Sequence, residues 1–200
     1  INEVQIDPNG YQHRWIDGST MNMPVGKVVC VGRNYADHAK EMGHQPDLEA
    51  PFYFCKTPSS ICHTGATIPY APGTEDLHHE MELVVALGAL AFRATRDEAA
   101  KTVYAYACGL DMTRRDRQQD GKDKRRPWDL GKDFENGAVI APLTKASDFG
   151  EVGTQRISLT VNGETRQDAT LDLLLHDIPA VISHLSNYYH LAAGDLIYTG

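Results

Sequence analysis

The sequence lacks the features that mark a membrane protein or a general polyanion-binding protein. No apolar run approaches the roughly 20 residues that a membrane helix needs, and no signal-type hydrophobic region opens the chain. Basic residues are in the minority, with 19 Lys and Arg against 27 Asp and Glu and a formal net charge of −8. This balance disfavours nucleic acid or an anionic membrane as a general partner.

Cysteine is also scarce, and it forms no metal-binding pattern. The chain has four cysteines, at positions 30, 55, 62 and 108, and no two of them form a C-x-x-C pair. Most of them lie in apolar or strand-like segments. We therefore expect buried, reduced thiols in a cytoplasmic protein, and no zinc site.

A dinucleotide-binding fingerprint is absent as well, because no G-x-G-x-x-G follows the lone Gly32. Strand patterns outnumber helical ones and do not alternate regularly with them, which favours an α+β, mainly β fold over a Rossmann-like parallel sheet. The length suits one domain over residues 1–200, with 1–24 as an N-terminal arm or hairpin. The sequence stops directly after the strand-like segment 195–199, so we expect a truncated C-terminal end.

Hydrophobic periodicity and turn residues predict the main elements. Lys56 is expected in an exposed turn, and 114–126 in a solvated, densely charged segment. Asn162-Gly163 predicts a tight hairpin turn. We expect strands over 27–31, 52–55, 78–87, 108–113, 157–161 and 164–167 and a final strand over 195–199, with helices over 93–106 and 178–188.

Two glutamates with one residue between them open the apolar run 83–87. In a strand, Glu80 and Glu82 point to the same face, close enough to hold one cation. Without a counter-charge they would repel each other at the entrance to a core. The pattern therefore indicates half of a divalent metal site, although a strand edge with both glutamates facing water would look the same.

His38 and Glu41 lie three residues apart in a helix-compatible segment. On one helical face they could hydrogen-bond, and a carboxylate that orients an imidazole raises its basicity. The pair is thus a candidate general base, but the spacing alone also fits an exposed pair on a surface helix.

Six segments follow one another over about residues 25 to 200. They are Gly32-Arg33-Asn34-Tyr35-Ala36-Asp37-His38, Lys56-Thr57-Pro58-Ser59, His78-His79-Glu80-Met81-Glu82-Leu83, Leu110-Asp111-Met112-Thr113, Arg115-Asp116 and Val161-Asn162-Gly163-Glu164. In their order and separations, these segments together resemble the fumarylacetoacetate hydrolase family, in its compact acylpyruvase-like branch. The resemblance implies a mixed β-sandwich or roll of the family's C-terminal-domain type.

The resemblance also implies roles for single residues. Glu80, Glu82 and Asp111 match the family's metal-binding carboxylates, and all-oxygen ligands suit Mg²⁺ or Mn²⁺, with Ca²⁺ a further occupant in crystals. His38 and Glu41 match the pair that activates water, and Lys132 matches a catalytic lysine. Residues matching substrate-binding positions are Arg33, Tyr35, Lys56, Arg115, Gln118 and Thr199.

The reaction that the resemblance implies is hydrolysis of a carbon-carbon bond in a β-diketo acid. An acylpyruvate such as fumarylpyruvate would give pyruvate and a carboxylic acid, in a protein expected to be a homodimer. The same enolate chemistry would serve oxaloacetate decarboxylation or tautomerisation, or isomerisation of 2-hydroxy-dienedioates from aromatic degradation. Outside the enzymes, a module that binds a 2-oxo acid remains an alternative.

Overall fold

The computed structural model describes residues 11–21, 23–35 and 49–200. The strands are β1 (His13–Arg14), β2 (Thr20–Met21), β3 (Val28–Gly32), β4 (Phe52–Lys56), β5 (Ile61–His63), β6 (Leu77–Leu87), β7 (Val103–Arg114), β8 (Ala138–Ile140), β9 (Thr144–Lys145), β10 (Arg156–Val161), β11 (Glu164–Thr170) and β12 (Leu196–Tyr198). The α-helices are α1 (Arg96–Lys101), α2 (Arg115–Asp123), α3 (Asp129–Lys132), α4 (Ala146–Phe149) and α5 (Ile178–Leu185), and short 3-10 helices span Pro58–Ser60 and Leu171–Leu173.

A mixed sheet dominates the described part of the chain, as the α+β, mainly β expectation requires. Its strands follow the order β4-β3-β12-β6-β7-β8-β5, and β9 pairs with β7. The β3–β12 and β5–β8 pairs are parallel, while the long β6–β7 pair is antiparallel. The last strand in the sequence thus lies in the middle of the sheet, between β3 and β6.

Both faces of this sheet are covered, because alternate residues of one strand enter different clusters. Leu83 and Val85 of β6 pack with α5 in one core cluster. Val84 and Ala86 pack with Tyr198 of β12 in a second cluster on the opposite face. Double-sided burial explains why 83–87 is continuously apolar and not alternating.

Two predicted hairpins are present. β1 and β2 pair antiparallel within the expected N-terminal hairpin region. β10 and β11 pair antiparallel, and their loop residues Asn162 and Gly163 have positive φ angles of 52° and 85°. Positive φ at both central positions is what a tight hairpin turn requires, and this explains the choice of Asn-Gly.

The helix expected over 93–106 is wrong in its second half. α1 begins at the Thr95 cap, which forms a capping box with Glu98, but it ends at Lys101, and Val103 already starts β7. From Val103 onward the residues follow a strand pattern, in which Ala105 and Ala107 share one buried face. Pairing along the whole of β6 overrides the local helical signal.

Three smaller expectations also need correction. Lys56 is buried, with only 2% of its surface exposed, and is not in an exposed turn. The segment 114–126 is not solvated throughout, since Gln118 of α2 is buried. All four cysteines are free, but only Cys30 is buried, whereas Cys55 and Cys108 are exposed. Among the described residues, no helix is long and apolar enough to cross a membrane.

Candidate active site

The pairing of β6 with β7 assembles a cluster of three carboxylates, Glu80, Glu82 and Asp111. Glu80 lies directly opposite Asp111 in the antiparallel register, and Glu82 is two residues further along the same face of β6. One oxygen of each carboxylate lies within 4.8 Å of the others. Glu82 and Asp111 are buried, so the cluster is not the water-facing strand edge that the sequence left open.

Three cations surround the cluster. Lys132 Nζ bridges Glu80 Oε2 at 2.7 Å and Asp111 Oδ2 at 2.6 Å, and it also donates to Thr113 Oγ1 at 2.7 Å. Arg115 Nη2 donates to Glu80 Oε1. Charge-assisted hydrogen bonds of this kind hold the carboxylates in fixed positions.

Lys56 is the third cation, and its contacts point into the protein. Its Nζ lies 2.9 Å from Asp111 Oδ1 and donates to the carbonyl oxygens of Met112, at 3.0 Å, and of Lys132. It thereby ties one carboxylate to the backbone at the end of α3. Its assignment to substrate binding stays a prediction.

The carboxylates respond differently to this environment. Burial raises the pKa of Glu80, but the charges of Lys132 and Arg115 outweigh it and bring that pKa to about 2. Burial also raises the pKa of Glu82, and there the negative charges of Asp111 and Glu80 add to the effect, so it lies well above its usual range. Glu82 is therefore the carboxylate whose negative charge is least compensated by the protein alone.

This donor set fits a hard divalent cation. The three ligand side chains offer only oxygen atoms, which Mg²⁺ and Mn²⁺ prefer. The buried Asp111 Oδ1 faces the Lys56 ammonium without the geometry of a hydrogen bond. A cation near Glu82 would also offset the repulsion that raises the pKa of this group.

The segment that follows β3, residues 33–35, forms a corner that lies against the end of β12 beside the cluster. Asn34 Nδ2 donates to the carbonyl oxygen of Thr199 at 2.8 Å, and the Gly200 N–H donates to Glu82 Oε2 at 3.0 Å. A Cβ on Gly200 would lie 2.7 Å from the Asn34 Cβ, so this close approach needs glycine. Thr199 Oγ1 donates to the Leu83 carbonyl oxygen at 2.8 Å, so this hydroxyl is used within the sheet.

Tyr35 and Arg33 belong to the same corner. Burial and then the negative charge of Glu82 raise the pKa of Tyr35 to about 12, and its buried hydroxyl has no hydrogen-bond partner among the described residues. Arg33 is exposed and has a positive φ of 51°, an uncommon conformation for a residue other than glycine. Strain of this kind is often found at functional sites.

The structure thus brings most of the sequence-predicted residues to one place. Gln118 joins them from α2, where its Oε1 accepts from Arg115 Nη1 at 2.7 Å. His38 and Glu41 lie outside the described residues, and their role as a water-activating pair stays a prediction. The roles given to the other residues remain predictions too.

Sequence reasoning missed two participants. Thr113 is fully buried and binds Lys132 Nζ, and its position two residues after Asp111 on the same strand face could have revealed it. Lys122 of α2 was overlooked inside the charged segment. Burial and the positive charges of Arg33, Arg115 and Lys132 lower its pKa.

The fold and this carboxylate cluster can now be compared with known proteins. Residues 27–200 match the model of the fumarylacetoacetate (FAA) hydrolase C-terminal family, and the chain belongs to this family. The resemblance found in the sequence is therefore confirmed.

Particular relatives are similar over most of the chain. Fumarylpyruvate hydrolase from a Ralstonia species is 48% identical over 80% of this chain and 83% of its own. Oxaloacetate tautomerase from Escherichia coli is 37% identical over 95% of this chain and 87% of its own. The crystal structure of fumarylpyruvate hydrolase from Pseudomonas aeruginosa with Mn²⁺ and pyruvate is 39% identical, covers 100% of this chain and 87% of its own, and has a TM-score of 0.87.

Proposed function

We propose that this protein is a divalent-metal-dependent hydrolase that cleaves a carbon-carbon bond in an acylpyruvate such as fumarylpyruvate. The products would be pyruvate and a carboxylic acid. The observation that carries the proposal is the cluster of Glu80, Glu82 and Asp111 with Lys132 bridging two of its members. The similarity to fumarylpyruvate hydrolases supports this choice of substrate.

Glu80, Glu82 and Asp111 would hold Mg²⁺ or Mn²⁺. When bound, such an ion supplies positive charge that stabilises a developing enolate oxygen. Lys132 already lies between two of the carboxylates, so its ammonium can offset further negative charge on the departing 2-oxo acid.

The remaining side chains would position the substrate and the water. The Tyr35 hydroxyl and the Arg115 guanidinium offer donors beside the cluster. His38, oriented by Glu41, would take the proton from the attacking water. We further propose one catalytic domain over residues 1–200, a cytoplasmic location and a homodimer.

A second candidate function is oxaloacetate tautomerisation. The relative that favours it is similar over 95% of this chain, and tautomerisation and decarboxylation both pass through an enolate that the same cluster can stabilise. Isomerisation of 2-hydroxy-dienedioates would draw on the same chemistry. The metal site is common to all of these reactions.

A spectrophotometric panel of fumarylpyruvate, acetylpyruvate and oxaloacetate, each with Mg²⁺ or Mn²⁺, tests the proposal. We expect metal-dependent hydrolysis of an acylpyruvate to be the fastest reaction. If oxaloacetate tautomerises much faster than any acylpyruvate is hydrolysed, the second candidate function replaces the first. Tight ligand binding with no turnover of any of them would leave only a 2-oxo-acid-binding module.

A His38→Ala variant separates hydrolysis from the other reactions. Hydrolysis needs an activated water, so we expect its rate to fall by about 10² or more, a typical contribution of a general base. Decarboxylation of oxaloacetate needs only a stabilised enolate and should fall less. Steady-state kinetics on both substrates measure the difference, and equal losses would show that His38 does not act as the hydrolytic base.

A further inference from the structure

Helix α2 carries a row of polar side chains away from the carboxylate cluster. Arg115, Gln118 and Lys122 are spaced by three and four residues, so they share one face of the helix. Arg115 binds Glu80, and Gln118 binds Arg115. Lys122 lies two turns further on, about 10 Å along the helix axis from Arg115.

A row of aromatic rings lies between Lys122 and Lys132 of the site. Its Nζ lies 5.1 Å from the centroid of the Trp128 ring. The Trp128 and Phe54 rings are 5.9 Å apart, and Lys132 Nζ lies 4.8 Å from the Phe54 centroid. Lys122 is half-buried, and its ammonium lies over the face of the Trp128 ring on the side of the helix that carries Arg115 and Gln118.

The charges of the site leave Lys122 and Arg33 in excess. The three carboxylates of the cluster are matched by the three cations Lys56, Lys132 and Arg115. In the described ranges 11–21, 23–35 and 49–200, no ion pair joins Lys122 or Arg33 to a carboxylate, and the charge of Arg33 is one of the causes that lower the pKa of Lys122. Two uncompensated cations that flank a site in an acidic protein suit an anionic group of the ligand.

We infer that Lys122, assisted by Arg33, binds the second carboxylate of a 2-oxo dicarboxylic acid whose first carboxylate lies at the Glu80, Glu82 and Asp111 cluster. Lys122 is then a specificity-determining residue that favours diacids over monoacids of the same length. This inference rests on the proposed function for the placement of the 2-oxo end. Fumarylpyruvate carries such a second carboxylate, and acetylpyruvate does not.

Two unreactive ligands of equal chain length test the inference by binding alone. Titration calorimetry of the Mn²⁺-loaded protein compares 2-oxoadipate with 2-oxohexanoate, which ends in a methyl group where the diacid ends in a carboxylate. We expect the wild-type protein to prefer the diacid by tenfold or more. Lys122→Met keeps the apolar stem and should lose most of this preference, with its affinity for the monoacid changed by less than twofold.

Two further variants control this result. Lys124→Met removes a neighbouring ammonium that pairs with Asp120 on the exposed side of the helix, and it should keep the preference. Lys122→Arg restores the charge and should restore much of it. Equal affinities for the two ligands in the wild-type protein, or an unchanged preference in Lys122→Met, would overturn the inference.

The proposed function fails separately. A diacid preference that depends on Lys122, without hydrolysis of any acylpyruvate, would leave this inference standing and remove the hydrolase proposal. The opposite result is hydrolysis of fumarylpyruvate and acetylpyruvate with equal KM values that do not change in Lys122→Met. That result would support the hydrolase proposal and overturn this inference.

Discussion

At the scale of single residues, Lys56 shows how a buried charge supports the site without facing it. Its side chain is enclosed and bonds to the backbone of Met112 and Lys132, as well as facing Asp111. These contacts join β4, β7 and α3. We therefore interpret Lys56 as a residue that positions Asp111 and Lys132, and the sequence could not reveal this because an isolated lysine before Thr-Pro is typical of a surface turn.

Lys56→Met should lower the free energy of unfolding of the metal-free protein by about 3–5 kcal/mol, because it breaks a buried ion pair and leaves Lys132 as the only cation among the described residues that pairs with Asp111. The variant's carboxylates have lost a counter-charge, so Mn²⁺ should stabilise it by more than it stabilises the wild-type protein. Chemical denaturation with and without Mn²⁺ measures both effects.

Two controls accompany this experiment. Lys101→Met removes an exposed lysine and should behave as the wild-type protein does. Glu82→Gln removes one of the three proposed metal ligands, so Mn²⁺ should stabilise it far less than the wild-type protein. Identical metal-induced stabilisation of Lys56→Met and the wild-type protein would show that Lys56 does not neutralise the cluster.

At the scale of elements, the β6–β7 ladder decides where the carboxylates meet. Gly109 lies opposite Glu82 in this ladder. A Cβ there would come within 2.5 Å of Val84 Cγ2 and 2.7 Å of Tyr198 Cε1. The missing side chain lets Tyr198 pack across the sheet, where its hydroxyl donates to the Val139 carbonyl oxygen at 2.8 Å.

Gly109→Ala should therefore destabilise the protein by about 1–3 kcal/mol, the usual cost of overpacking a core. Gly153→Ala is the matched control, because an added Cβ there meets only Gln155 Oε1 at 3.8 Å and φ is not positive. Thermal or denaturant unfolding of the two variants measures the difference. Equal stability would mean that the strands around Gly109 can move apart without cost.

The elements that local patterns predicted well are those whose partners are local. The β10–β11 hairpin follows from Asn162-Gly163 alone, and α5 follows from its Asp177 cap and its apolar spacing. The start of β7 could not be predicted in this way, because Val103 to Tyr106 fits a helical stripe. Its strand conformation depends on pairing with β6, and a local sequence pattern does not contain that contact.

At the scale of the whole molecule, His13 connects the N-terminal hairpin to the rest of the protein. It is fully buried, and Tyr11 Oη lies 3.1 Å from its Nδ1. Burial lowers its pKa, the backbone of Gly194 opposes the shift, and His63 adds to it. The folded state thus binds this proton less readily than the unfolded chain does.

The sign of the pH dependence follows. An unfolded histidine takes up its proton near pH 6.5. Below that pH, protonation stabilises the unfolded chain relative to the folded state, and this loss of stability grows until the folded group is protonated as well. We expect the free energy of unfolding to fall by about 1 kcal/mol between pH 7 and pH 5.5. His13→Gln should show a shallower decline in denaturant titrations at the two pH values, and an equal decline would assign it to other groups.

The sequence alone predicted many residues of the candidate site, but for different reasons. Glu80 and Glu82 were found by strand periodicity, because the two side chains lie on the same face of one strand. Asp111 and Lys132 were assigned through the family resemblance, since no local pattern links them to Glu80. The buried roles of Lys56 and Thr113 depend on contacts between distant segments, which local patterns do not contain.

The position of β12 in the sheet has a consequence for synthesis on the ribosome. Almost all of the described sequence is made before Leu196–Tyr198 emerges, and until then β3 and β6 each present an open edge where this strand belongs. The nascent chain therefore presents two unpaired strand edges until β12 has been made, and such edges expose a slowly assembled sheet to aggregation. Glu82 also gains its hydrogen bond from Gly200 only after β12 is in place, so the carboxylate cluster is completed only when this strand has joined the sheet.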